Sequence, residues 1–120
     1  MDKIKTFEDL IVWKKSHDLV IEVYRMTKDL PSEEKFGLVS QIKRAAVSIP
    51  ANIAEGFSRR GLKDKIHFYN ISQGSLSELQ YYSILIKDLG FKVKLDVIDG
   101  LILEVGKMLN GAIVSLRVFS

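Results

Sequence analysis

The sequence predicts an all-α protein, an antiparallel four-helix bundle of up-down-up-down topology. Three observations lead there. No segment has the strict apolar–polar alternation of a half-buried strand. Val and Ile recur instead at helical spacing, in four long amphipathic stretches. The connectors between them are short, which favours antiparallel neighbours.

The first helix is expected to start at Thr6, which can cap a free N–H, with Glu8 and Asp9 at the positive end of the dipole. Its apolar stripe reads Leu10, Trp13, His17, Val20 and Tyr24, widened by Val12, Leu19, Val23 and Met26. Pro31 stops it, because the residue before a proline is pushed out of the helical region.

Ser32-Glu33-Glu34 reads as the capped start of the second helix, whose stripe is Leu38, Ile42, Ala45, Ala46, Ile49, Ile53 and Phe57. Pro50 lies inside that stripe, and a proline in a helix interior costs about 3 kcal/mol. The periodicity resumes in phase beyond it, so a single helix kinked at Pro50 is expected. The alternative is two shorter helices meeting there.

After the polar connector Ser58-Arg59-Arg60-Gly61, a long third helix is expected to run to about Asp88, with Ile66, Tyr69, Leu76, Leu79 and Ile86 inward. Leu89-Gly90 is its stop, Gly90 being able to take the left-handed conformation. The fourth helix starts at about Leu95. It turns Ile98, Leu101, Ile102, Val105, Leu109, Ala112, Ile113 and Leu116 to the core.

At 120 residues the chain fits one domain with a core of its own, and nothing in it reads as a linker or repeat. With 47% hydrophobic and 28% charged residues it describes a folded globule. Cysteine is absent, which excludes disulfides and thiolate metal sites. Met1-Asp2-Lys3-Ile4-Lys5 offers no apolar signal core, and no run approaches the roughly 20 residues of a membrane span. A cytoplasmic location without membrane contact is therefore expected. The net charge of +3 is mildly basic and decides no partner by itself.

Helix four is too apolar for one buried face. Val97, Leu103, Met108, Val114, Val118 and Phe119 fall outside its core stripe. Gly100 and Gly111, 11 residues or about three turns apart, share a face that would let another backbone approach. Gly106 adds a third helix-weakening glycine. Close packing within one subunit would also account for the glycines. Together with the surplus apolar stripe, they point to a homo-oligomer.

Helix two carries a second, polar stripe: Gln41, Arg44, Ser48, Asn52, Glu55 and Arg59, at intervals of 3, 4, 4, 3 and 4. The structural reading has Arg44 and Asn52 bonding across to helix three, with Glu78 as partner, and setting the register of the bundle. The functional reading is a row that contacts ligand or phosphate.

Catalytic signatures are absent. His17 and His67 lie on different helices with no second histidine at i+4, so a metal site is not indicated. Asp96 and Asp99 are one turn apart, but Asp96 is where a helix-start carboxylate belongs. There is no phosphate-binding glycine loop and no nucleophile elbow. No enzyme and no cofactor are expected. Up-down-up-down order would gather Lys3, Lys5, Arg59, Arg60, Lys63, Lys65 and Arg117 at one end, against Asp2, Glu8, Asp9, Glu55 and Asp64. Repeated around an oligomer axis, that surplus would make a phosphate-binding rim.

Three blocks carry a resemblance: 7–13 (Phe-Glu-Asp-Leu-Ile-Val-Trp), 36–56 from Phe36-Gly37-Leu38 through Ser48-Ile49-Pro50-Ala51-Asn52-Ile53-Ala54-Glu55-Gly56, and Gly74-Ser75-Leu76-Ser77-Glu78-Leu79. With these the chain resembles the bacterial 23S rRNA-intervening sequence protein family, from about Phe7 to Leu116. The resemblance implies a four-helix bundle that assembles as a ring-like homopentamer. It also implies kinship in fold with the accessory variability determinant protein of diversity-generating retroelements, which binds nucleic acid and a reverse transcriptase through basic surfaces. The expected function is weak, sequence-independent RNA or DNA binding by a homo-oligomer, through the basic end. The alternative is an adaptor docking on one protein partner without nucleic-acid contact, and a metal-dependent hydrolase using His17 or His67 is a distant third.

Overall fold

The computed structural model describes residues 3–119. Four helices make up the body: α1 (Ile11–Thr27), α2 (Leu38–Ser58), α3 (Leu62–Asp88) and α4 (Asp96–Val118). Two short 3-10 turns, Phe7–Asp9 and Ser32–Glu34, precede α1 and α2, and there is no strand among the described residues. The molecule measures 46 × 27 × 21 Å.

Each helix packs against two others in a closed cycle, α1–α2, α2–α3, α3–α4 and α4–α1, without diagonal packing among the described elements. Side-chain contacts give the direction of the α2–α3 and α3–α4 pairs, and the last turn of α1 shares a groove with the first turn of α4. On α2 and α3, Ser48 faces Ser75, Ile49 faces Ser72, and Gly56 and Phe57 face Lys65. Numbers that rise on one helix fall on the other, so the pair is antiparallel. Ser83 with Asp99 and Leu76 with Gly106 show the same for α3 and α4. The core between the helices is aliphatic, with Leu19, Val23, Ile42, Ile49, Ile53, Leu79, Ile86, Val105 and Leu109 almost wholly removed from water.

Two helix starts differ from expectation. Thr6 heads the first 3-10 turn, and α1 begins only at Ile11 because Leu10 is extended at φ −74°, ψ 129°. The Asp9 carboxylate draws the turn tight by accepting the backbone N–H groups of Lys5 and Thr6 at 2.8 and 3.0 Å. Those bonds hold the Asp9 carboxyl below the usual range. Likewise Ser32 opens a separate turn, and α2 starts after Gly37, whose φ −107°, ψ −101° lies outside the helical region.

The buried stripe of α1 is also rotated from the predicted one. Ser16, Leu19, Val20, Val23, Met26 and Thr27 face inward, while His17 and Tyr24 are exposed. Aliphatic side chains fill the centre, and rings with a polar edge sit at the boundary, where that edge stays wet. Ser16 and Thr27 go inside at little cost because their hydroxyls donate to the carbonyls of Trp13 and Tyr24, at 2.8 and 3.0 Å.

Helix α2 runs as one helix through Pro50, which is buried. The two carbonyls just before the proline each gain a side-chain donor. The Ser72 hydroxyl reaches Ile49 O at 2.9 Å, and the Asn52 amide reaches Ser48 O at 2.8 Å. Beyond α3, Gly90 turns left-handed at φ +80°. The N–H groups of Gly90 and Phe91 close back on the carbonyls of Lys87 and Ile86, a Schellman stop.

Candidate nucleic-acid interface

The polar seam of α2 divides into two parts. Ser48 and Asn52 are half-buried and bonded to each other, and Ser48 is the link across to α3, its hydroxyl 2.8 Å from that of Ser75. Asn52 thus bonds within its own helix, where a bond to α3 was expected. Arg44 makes no ion pair with Glu78; the Glu78 carboxylate instead accepts the Tyr82 hydroxyl at 3.4 Å. On an exposed helix face an arginine keeps its hydration more cheaply than it orders a long side chain around one carboxylate. Gln41, Arg44, Glu55 and Arg59 are all exposed. Hydroxyl and carboxamide groups short enough to sit inside the α2–α3 seam hold the register, while the long charged groups stay in water.

Antiparallel packing brings the start of α1, the α2–α3 connector and the last turn of α4 to one end. Asp2 lies outside the described residues. Of the cations there, Lys65 is occupied: its ammonium donates to the carbonyls of Phe57 and Gly56, at 2.8 and 3.3 Å, and lies 5.6 Å from the centre of the Phe57 ring. It caps the negative end of α2. Arg59 pairs with Glu55 at 3.4 Å and lies 4.7 Å from the centre of the Phe68 ring. Arg60, Lys63 and Lys3 are exposed and without a side-chain partner among the described residues. Lys5 is exposed beside the Asp9 turn, and Arg117 stands in the last turn of α4. Lys65 and Arg59 are thus committed to the fold.

The outer surface of α4 carries exposed apolar side chains, Leu103 62%, Val97 61%, Val114 49% and Val118 74%, interspersed with the exposed Asp96, Lys107 and Asn110. Met108, expected there, is half-buried. Gly100 and Gly111 face open space, with nothing within 4 Å of an added β-carbon. Gly106 differs: a β-carbon there would stand 3.3 Å from Leu76, so this glycine serves close packing of α4 on α3. Packing inside the subunit therefore explains one of the three glycines.

Other candidate chemistry resolves into structure. Asp99 accepts the Ser83 hydroxyl and the Lys87 ammonium, each at 2.6 Å, and ties α4 to α3. Burial opposes its ionisation, but those two bonds outweigh it and hold the carboxyl below its usual range. The His17 ring stacks parallel to Trp13, centres 5.2 Å apart, and His67 lies edge-on to Phe68. No group of three or more His, Asp or Glu among the described residues is placed to hold a metal ion. No described helix is long and apolar enough to cross a membrane.

One cationic surface escaped the sequence reading. Lys28, Lys35 and Lys43 line a groove at the α1–α2 junction, at the end of the bundle opposite Arg60. They are seven and eight residues apart across a turn, so no run of charge announces them.

Residues 8–111 match the family model described as "23S rRNA-intervening sequence protein". The chain is also similar to a crystal structure from Bacteroides thetaiotaomicron, described as a protein of unknown function from the S23 ribosomal protein family. The two are 27% identical, the match covers 86% of this chain and 98% of that one, and the TM-score is 0.78. No curated protein matches the chain.

Proposed function

Because the chain belongs to the 23S rRNA-intervening sequence protein family, we propose that it is a non-catalytic bundle that self-associates and binds RNA or DNA through phosphate contacts. The observation that supports self-association is the outer face of α4, where exposed valines and a leucine flank two glycines opening onto solvent. A monomer gains nothing from glycine at Gly100 and Gly111, each of which costs the helix about 1 kcal/mol relative to alanine. A second copy packed at close range would recover that cost. A ring of five, as the family resemblance suggests, would repeat Arg60, Lys63 and Lys3 around one rim and multiply a weak field.

Light scattering on a size-exclusion column tests the assembly. The expected result is a mass several times 13.6 kDa, falling toward one subunit in a Gly100→Leu/Gly111→Leu variant of unchanged helicity. A single-chain species at high concentration would overturn the reading. A gel shift over a salt series tests the nucleic acid, with affinity expected to fall steeply and linearly on a log–log plot and with little sequence preference.

A second reading, docking on one protein partner, is favoured by Phe36, a large apolar ring left 90% exposed on a connector. Capture of a single protein that survives nuclease and high salt would support it over the first.

A further inference from the structure

The groove at the α1–α2 junction encloses about 240 Å³ and is lined by Thr27, Lys28, Ser32, Lys35 and Lys43 above an apolar floor that includes Leu30 and Val39. Three of its lining residues are cations and none is a carboxylate. The carboxylates of the same connector lie outside this lining: Asp29 lines the groove between α1 and α4, and Glu33 and Glu34 stand in the short turn before Lys35. Two aromatic rings flank the lysines. Tyr24 is 41% exposed with the Lys43 ammonium 4.6 Å from its centre, and Phe36 is 90% exposed with the Lys35 ammonium 5.5 Å from its centre. Neither ring is used by the core, and Lys28, Lys35 and Lys43 form no ion pair among the described residues.

Cations that track phosphates beside exposed rings that stack on bases are the two parts of a single-strand site. A duplex presents phosphates but keeps its bases stacked internally, and so leaves the rings idle. A free anion uses the lysines alone. We infer that this groove binds single-stranded nucleic acid, with Lys28, Lys35 and Lys43 on the backbone and Tyr24 and Phe36 each under a base. The inference rests on the nucleic-acid reading above, but places the strand at the opposite end of the bundle from Arg60 and Lys63.

The test is fluorescence anisotropy of a labelled twelve-nucleotide oligo(U) at low salt, with a duplex of equal length and heparin as comparison probes. Phe36→Ala removes no core contact, so the fold is expected to survive it. It should weaken the single strand about tenfold, the loss of one stacked base, and leave duplex and heparin within twofold. Lys28→Glu/Lys35→Glu, both at exposed positions, should weaken all three probes by tenfold or more. Equal losses of single strand, duplex and heparin in Phe36→Ala would overturn the stacking role. Unchanged oligo(U) binding in Lys28→Glu/Lys35→Glu, with binding abolished in Arg60→Glu/Lys63→Glu, would overturn this groove and keep the basic end. No oligo(U) binding by the unaltered protein would remove both.

Discussion

The Tyr69 ring occupies the space where Gly56 would carry a side chain: a β-carbon at Gly56 would lie 2.8 Å from Tyr69 Cε1 and 3.2 Å from Phe68 Cβ. At this point the last turns of α2 and the first turns of α3 come closer than any other residue type allows. Tyr69 is buried and belongs to the core, so it has no free direction in which to retreat.

Gly56→Ala is therefore expected to destabilise the protein by about 1–3 kcal/mol through overpacking. Gly74, inside α3 and open to solvent, gives the opposite sign. Gly74→Ala should stabilise by about 0.5–1 kcal/mol, because alanine is the better helix former. Urea denaturation of the two variants side by side checks both.

Ser72 is wholly buried, and its hydroxyl donates to the carbonyl preceding Pro50. Ser72→Ala should cost about 0.5–1.5 kcal/mol. A change within 0.2 kcal/mol would mean that the α2–α3 contact around the proline depends on packing alone.

Lys65 and Lys63 separate structural from binding charge. Lys65 donates to carbonyls at the end of α2, so Lys65→Met should lower stability by about 0.5–1 kcal/mol. Lys63 has no such partner among the described residues. Lys63→Met should leave the melting temperature unchanged and reduce the salt slope of oligonucleotide binding by about one.

Asp99 gives the pH dependence. Its carboxyl is held below the usual range in the folded protein, so the unfolded chain takes up the proton first as pH falls. The stabilisation is present above about pH 4 and is lost as pH drops through the lower folded value. With the Lys87 ammonium and the Asp99 carboxylate partly in water, Asp99→Asn should cost roughly 0.5–1 kcal/mol at pH 7, and the difference from the unaltered protein should shrink as the pH falls below about 4. Denaturant titrations at pH 7, 4 and 2.5 check the sign.

The fold was legible because it depends on pattern. Apolar residues at helical spacing define four helices, and the ends of α3 and the start of α4 follow from Gly61, Gly90 and the acids at Asp96 and Asp99. The starts of α1 and α2 were not legible. The extended backbone at Leu10 and the turn after Pro31 are choices among local hydrogen bonds that propensity does not rank.

What the sequence determined by itself is the number of helices, the aliphatic core and the family, since each is a property of residue order along one chain. Which side chains are free to meet a partner was decided only in three dimensions. Lys65 and Arg59 lost their freedom to neighbours eight or nine and four or nine residues away, while Tyr24 was left in water beside Lys43 of another helix and Phe36 beside its sequence neighbour Lys35. Charge and exposed ring area belong to surfaces, and a surface is assembled from several helices at once.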